Sequence, residues 1–497
     1  MKRLSSLAGL AAGAKLVPAC LIAFFCLSRL CVGQTYNGLS YSVSGTDITI
    51  TGYTGPGGVV TVPSTIPGVS GTVTSIGDSA FYGCSGLTSV AIPDSVTSIA
   101  GDAFAYCSSL TSVTIPNSVT SIGNFAFAFC SSLTNATIPD SVASIGDSAF
   151  YGCSGLTSVA IPDSVTSIAG DAFAFCSSLS AITAGTQNSA YASLSGVLFN
   201  KSRSTLIAYP GGNSRTYSIP STVTSVGEEA FDGCSGLTNV TIPNSVTSIG
   251  FEAFYGCSGL TTVIIPSSVT NIGEEAFCGC SGLTSLIIPD SLTSIGVAAF
   301  DGCSGLASVT IPNSLTNIVE EAFIDCSGLT SVTIPNSVIS IGDNAFRGCF
   351  GLTNVTIPGS VTSIGDQAFE GCQGLTNVTI PSSVTSIVAG AFYYCSNLTS
   401  AYFQGNAPAS FGNQVFDLDA AGFTLYYPAN ATGFTTPAWN GYPALPYSGS
   451  LLGSLQVTLA PAGAVSAGAQ WQVDGGAWQS SGATVSGLAP GSHTVAF

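Results

Sequence analysis

Charge is scarce in this chain, and basic charge most of all. Only 7% of the 497 residues are charged, with eight Lys and Arg against 25 Asp and Glu. The single histidine, His493, lies close to the last residue. These shortages remove whole classes of function. Without a basic stripe to meet phosphates, nucleic-acid binding is excluded as a default, and the acidic balance argues equally against an anionic membrane surface. One histidine near the end of the chain cannot anchor a Ser-His-Asp or Cys-His site elsewhere. Gly-rich phosphate loops are also missing, and so are Asp-x-Asp-x-Asp calcium loops. The chain is therefore expected not to be an enzyme and to hold no cofactor and no metal. No long hydrophobic run is present either. The apolar stretch 16–27 is too short for a transmembrane helix and is followed by Arg29. With Lys2 and Arg3 ahead of it and Cys31-Val32-Gly33 behind, residues 1–33 read as a secretory signal peptide, which leaves no transmembrane span in the mature chain.

What is present is repetition. Phe81, Phe104, Phe127, Phe150 and Phe173 step by 23 residues. After one interruption the step resumes at Phe231, Phe254, Phe277, Phe300, Phe323, Phe346, Phe369 and Phe392. A fixed period of this size marks a solenoid, in which each coil must stack on its neighbours to bury its apolar face. The pattern is Leu-x-x-Val-x-Ile-Pro-x-x-Val-x-x-Ile-Gly-x-x-Ala-Phe-x-x-Cys. In the coil from Leu329 it places Val332 and Ile334 inward on a short strand that Pro335 stops, because proline has no N–H for a parallel neighbour. A second extended piece reaches Ile341, Gly342 turns the chain, and Asp343 is positioned to cap a single helical turn that carries Phe346 and Cys349 inward. The fold class expected is an α/β repeat solenoid, with a parallel sheet on one face and short extended pieces and helical turns on the other.

The Leu-x-x-Val-x-Ile-Pro strand, the Ile-Gly turn and the Ala-Phe-x-x-Cys end together resemble the BspA-type leucine-rich repeat over roughly residues 40–445. The resemblance implies an exported or surface protein of bacteria or protozoa whose role is adhesion or protein binding. Residues 401–447, aromatic and proline-rich, resemble the C-terminal cap of that family. Residues 448–497 read as strands with Gly turns and resemble a PEGA-like surface module, incomplete because it stops at Phe497 in mid-strand, as a fragment of a longer protein would.

The domain order expected is thus a signal peptide at 1–33, an N-terminal β cap at 34–75, the solenoid at 76–400, the C-terminal cap at 401–447 and the incomplete β-sandwich module at 448–497. Within the solenoid an insertion of about 183–217 contains GVLFNKSRSTLIAYPGG, read as a projecting hairpin. Removing the signal leaves four bases, Lys201, Arg203, Arg215 and Arg347, and a net charge of −21. Three of the four are on or beside the hairpin, either as a solvated turn or as contacts for an acidic partner.

Acids recur after the turn glycine at Asp78, Asp102, Asp147, Asp171, Glu228, Glu252, Glu274, Asp343 and Asp366. Capping and solubility account for such a row more simply than screening by a divalent cation. Of the 17 cysteines, 13 hold one position per coil, from Cys84 to Cys395. This reads as a ladder of small buried side chains with free thiols, since parallel Cβ vectors hold neighbouring Cβ atoms too far apart for a disulfide.

The outward strand positions form flat rows of Ser, Thr and Asn. The candidate binding face is drawn from Asn239, Thr241, Thr262, Ile264, Ser285, Ile287, Ser308, Thr310 and Tyr402, where the two isoleucines make an apolar spot on a hydroxyl-lined sheet. The reading that follows is a secreted or cell-surface scaffold for adhesion or protein binding, with an extracellular protein or glycan as partner. The alternative is a rigid spacer that binds nothing itself, and ice binding by the hydroxyl rows is a distant third.

Overall fold

Each coil lays down two strands, and both find parallel partners one coil away. A computed structural model describes residues 34–448, 453–457, 470–473, 476, 478–488 and 495–496. The segment read as a signal peptide lies outside the described residues. The chain forms two compact units, Met1–Thr262 with Gly273–Gly282, and Val263–Ile272 with Leu283–Phe497. In the first unit, strands Leu87–Ala91, Ser112–Thr114 and Asn135–Thr137 run parallel with Val90, Val113 and Ala136 in register. A second parallel sheet aligns Ile76, Ile99, Ile122, Ile145 and Ile168. The second unit repeats both sheets, with Val309, Val332 and Val355 in one and Ile318, Ile341, Ile364 and Ile387 in the other.

This register stacks each apolar residue on its own kind. Phe81 and Phe104 lie 5.0 Å apart between ring centroids with planes 12° from parallel, and Phe104 and Phe127 lie 5.3 Å apart. In the second unit Phe300–Phe323 and Phe346–Phe369 repeat the spacing at 5.4 and 5.3 Å. The rings are fully buried, and each stacked pair adds roughly 0.5–1.5 kcal/mol beyond burial itself.

The helical turn expected at the Ala-Phe segment does not form. Among the described residues there is no helix, so the fold is a β solenoid rather than an α/β one. The reason lies in where the amides go. Ser79, Phe81 and Gly83 donate to Gly101, Ala103 and Ala105 of the next coil, while Ala80, Tyr82 and Cys84 donate three residues back. Alternation of this kind leaves no run of i→i−4 bonds, and it needs left-handed backbone twice per coil, as at Ser79 (φ 56°) and Gly83 (φ 68°). Gly342 serves a different end from the one expected. A Cβ there would lie 2.7 Å from the backbone nitrogen of Glu320, so the coils approach too closely for any side chain.

The cysteine ladder is held by its own bonds. The buried Cys107, Cys130, Cys153 and Cys176 are free thiols. Cys107 Sγ donates to the carbonyl of Phe81 at 3.1 Å, and Cys130 Sγ to that of Phe104 at 3.2 Å. Burial pushes the Cys130 thiol up to about 12, so it stays protonated and inert at neutral pH.

Both ends of the stack are covered. At the start, Gln34–Tyr36, Leu39–Ser44 and Asp47–Tyr53 form an antiparallel meander, and Tyr53 lays its ring over Phe81 at 5.4 Å. In the second unit Phe416 continues the ladder from Phe392 at 5.4 Å, ahead of the closing strands Thr424–Pro428 and Tyr442–Tyr447. Farther on, Gly453–Gln456 pairs antiparallel with Thr484–Leu488, and Gln470–Val473 pairs with Gln479–Ser480 and Val495–Ala496.

The insertion is more integrated than a projecting hairpin. Tyr191–Leu194, Val197–Asn200 and Thr205–Ala208 form an antiparallel meander whose last strand runs parallel to Ser225–Val226. Phe199 and Leu206 are fully buried. Tyr209 stacks on Phe231 at 5.0 Å, and its carbonyl accepts from Cys234 Sγ at 3.5 Å. It thereby fills the place that a phenylalanine holds in an ordinary coil.

Candidate functional site

The outward positions of the strands are where the sequence places them, with exceptions at the closing end. Asn239 and Thr241 are exposed and Thr262 half-buried, all in the first unit. In the second unit Ser285, Ser308 and Thr310 are exposed. Ile264 is 61% exposed and Ile287 57%, on neighbouring strands. Tyr402 is not a free contact. It is half-buried and stacked on Tyr426 at 5.0 Å, because Thr424–Pro428 pairs with its strand. Ser400, two residues earlier on the same strand, is buried.

The bases of the insertion are exposed, but two fold back on it. Lys201 Nζ donates to the Asn188 carbonyl, and an Arg203 guanidinium nitrogen lies 3.4 Å from the Ser193 carbonyl. Arg215 is exposed, and its carbonyl accepts from Thr238 N–H at 2.7 Å.

A second surface escaped the sequence reading. Tyr82, Tyr106 and Phe129 are large exposed rings in the first unit. They stand in a row at 5.4 and 4.6 Å and continue to Tyr151 at 5.3 Å. The signal was present in the motifs FYGC, FAYC and FAFC. It does not keep a strict period, because the aromatic moves between the first and second residue after the ladder phenylalanine.

The acid row splits in two. Asp78, Asp147, Glu228, Glu274, Asp343 and Asp366 occupy one position, from which the side chains of Asp78 and Asp343 serve the next coil. Asp78 Oδ1 accepts from Gly101 N–H at 3.0 Å and Asp343 Oδ1 from Asp366 N–H at 2.7 Å. Asp102, Asp171 and Glu252 occupy the next position, where the backbone is left-handed, at φ 53°, 55° and 49°. There the carboxylates do not cap anything in common.

Around the insertion two of these second-position acids converge with Asp232, which follows Phe231. Oxygens of Asp171, Asp232 and Glu252 lie within 4.8 Å of one another. Asp232 is 5% exposed and Glu252 6%. Glu229 joins them from the side, over Gly170, where any Cβ would collide with its Oε2. Burial, and next the Asp171 charge, raise the Asp232 carboxyl well above its ordinary value. Burial pushes Asp171 up to about 6 and, with the Asp171 charge, Glu229 up to about 8. Glu252 rises to about 8 through burial and then the charge of Glu275. No sequence pattern announced this cluster, since Asp171 and Asp232 are separated by the whole insertion. Elsewhere in the first unit, an open cavity of about 300 Å³ is lined by Asp140, Pro162, Asp163, Thr183 and Gly185. Asp163 Oδ1 is already engaged there by Gln187 N–H at 3.0 Å.

Stacked 23-residue coils, each closing a parallel strand and an Ala-Phe-x-x-Cys turn over a phenylalanine ladder, define a leucine-rich-repeat solenoid with polar outer strands. The chain belongs to the BspA type leucine rich repeat family, whose model matches residues 69–203, 208–330 and 316–436. Among solved structures it is similar to a leucine rich cell surface protein from Faecalibacterium prausnitzii A2-165, at 33% identity over 62% of this chain and 95% of that one, with a TM-score of 0.46. A leucine-rich repeat protein from Eubacterium ventriosum ATCC 27560 is 24% identical over 74% of this chain and 95% of that one, with a TM-score of 0.50. Another from Bacteroides ovatus ATCC 8483 is 26% identical over 83% and 99%, with a TM-score of 0.45. No curated protein matches the chain. The family match ends at residue 436 and does not extend to the segment read as PEGA-like. Among the described residues, no helix is long and apolar enough to cross a membrane.

Proposed function

We propose that this protein is a secreted or cell-surface scaffold that binds an extracellular protein or glycan and performs no catalysis. The exposed aromatic row Tyr82–Tyr106–Phe129 carries the reading. Large rings left in water cost free energy unless a partner covers them, and aromatic side chains are enriched at the centres of interfaces. Flat aromatic faces also suit the apolar faces of sugar rings. Ile264 and Ile287 offer a second apolar spot, on the strand face of the other unit, within a surround of Ser and Thr. The family supports a binding scaffold, and the F. prausnitzii relative is described as a cell surface protein.

The test is a binding screen of the full chain against extracellular-matrix proteins and glycans. Two variants run beside it, Tyr106→Ser with Phe129→Ser, and Ile264→Thr with Ile287→Thr. Saturable binding weakened at least tenfold by either pair supports the scaffold reading and assigns its face. Binding to nothing favours the spacer, and binding indifferent to both pairs puts the contact on another face.

A further inference from the structure

At the insertion the solenoid makes one step that its period did not prepare. In a regular turn three amides reach the next coil. Here the Ala230 carbonyl, which by period would serve Phe173, accepts from Tyr209 N–H at 2.7 Å instead. Phe175 N–H still reaches the Asp232 carbonyl, at 3.5 Å. Into this step point Asp171 from the coil before the insertion, Asp232 from the coil after it and Glu252 from the next, all within the first unit.

The cluster is more than a group of surface acids. Asp232 is buried, and its Oδ1 has no hydrogen-bond donor. Asp171 Oδ1 and Glu229 Oε2 are buried and likewise undonated. The bases of the insertion are directed elsewhere, Lys201 to the Asn188 carbonyl and Arg203 to that of Ser193. Buried carboxylates facing each other without donors are unstable unless protons or a cation neutralise them. Oxygens within 4.8 Å of one another can share a single ion. That span fits calcium, whose ligands at about 2.3–2.6 Å lie at most roughly 5 Å apart in irregular geometry, whereas magnesium demands a near-ideal octahedron and keeps several waters. An all-carboxylate donor set is also hard, as calcium prefers.

We propose that Asp171, Asp232 and Glu252, with Glu229 beside them, form a calcium-binding site that closes the coil step at the insertion. The ion supplies the positive charge that this step lacks, and water fills the remaining coordination positions. It ties the coils before and after the insertion to one point, so its binding stiffens the first unit rather than creating a catalytic centre.

The experiment uses the full chain, stripped with chelator and then titrated with Ca²⁺, Mg²⁺ and Tb³⁺. The rings of Tyr151 and Tyr255 flank Phe175, at 5.0 and 6.5 Å from it, next to the site, so tyrosine excitation should sensitise bound Tb³⁺. The expected result is sensitised emission that saturates at one Tb³⁺ per chain, is displaced by Ca²⁺ at least tenfold more effectively than by Mg²⁺, and accompanies a Ca²⁺-dependent rise in melting temperature. Asp232→Asn should abolish both signals while melting no lower than the wild type in chelator, because it removes a buried repulsion. That second reading separates loss of the site from loss of fold. If wild type shows no sensitised emission and no Ca²⁺ shift, the carboxylates share protons and the proposal falls. It falls equally if Asp232→Asn binds as wild type does. Mg²⁺ displacing as well as Ca²⁺ would overturn the choice of ion.

Discussion

The period breaks at two places, and both enclose acids, but more of the carboxylate oxygens find donors at one than at the other. At the closing end of the second unit, Asp419 Oδ1 accepts Cys395 N–H at 3.0 Å and Asp417 Oδ1 accepts the Tyr442 hydroxyl at 2.7 Å, which leaves Asp419 Oδ2 as the buried oxygen without a donor. At the insertion in the first unit, the undonated oxygens of Asp171, Asp232 and Glu229 face other acids. The closing end is a terminus, where nothing further has to stack, so its chain is free to turn an amide toward one carboxylate and a hydroxyl toward the other. The insertion must hand the stack on to another coil, and its amides are committed to that task. The difference teaches that an acid in this fold is neutralised by the period where the period holds and by local chemistry where it ends. Where the period is interrupted but must resume, neither is at hand, and an external cation is the remaining source of charge.

The largest effects should come from the rings that carry the ladder across each break. Tyr209 is buried against Phe231, and Phe416 against Phe392. Replacing either by alanine is expected to cost about 3–5 kcal/mol, as for other buried aromatics. Urea unfolding of the full chain measures it. A loss below about 1 kcal/mol for Tyr209→Ala would mean that the insertion hangs outside the stack, and the comparison would lose one of its terms. Tyr209→Phe keeps the ring and loses only the hydroxyl bond to the Ser214 carbonyl at 2.7 Å, worth roughly 1 kcal/mol.

Much of this architecture was legible from one coil. Val332, Ile334, Phe346 and Cys349 are buried as their spacing requires, and both extended pieces became parallel sheets, because a repeated apolar position can only stack on itself. The helical turn was misread because NAFRGC has the composition of a helical turn, while the competing hydrogen bonds come from a neighbouring coil that local sequence does not display. The acid row was misread for a related reason. In Ile-Ala-Gly-Asp-Ala-Phe the acid falls one residue later than in Ile-Gly-Asp-Ser-Ala-Phe, and that single step moves it from an exposed cap to left-handed backbone. The cluster of Asp171, Asp232 and Glu252 depends on which coils the insertion brings together, and no period encodes that.

An intermediate effect should isolate the closing end by pH. Burial pushes Asp419 up to about 9, although the Cys395 amide opposes the shift. Its unfolded value is about 4. Between these values the folded chain holds a proton that the unfolded chain has released, so stability is full below about 4 and is lost as pH rises through about 9. Asp419→Asn keeps an acceptor for the Cys395 amide without the titration. It should therefore melt like the wild type near pH 4 and increasingly above it toward pH 9, with the chelator-treated chain as reference. Parallel melting curves for the two proteins across that range would show that the closing end tolerates its charge as an ordinary surface does, and the contrast in donors would explain less than is argued here.

The smallest effect tests the donor itself. Tyr442→Phe removes the hydroxyl that donates to Asp417 and that accepts Phe416 N–H at 3.2 Å, and leaves the ring that meets Phe416 edge-on at 5.7 Å. The site is half-buried, so water can replace part of what is lost, and the expected cost is about 1 kcal/mol. Its value lies in the pairing with calcium. Stability of the Tyr442→Phe variant should rise on adding Ca²⁺ by the same amount as the wild type, because the ion binds among Asp171, Asp232 and Glu252 and not at the closing end. If the Ca²⁺ increment changed instead, the closing end would also be drawing on the cation, and the distinction between a terminus with donors for most of its acid oxygens and an interruption without them would no longer hold.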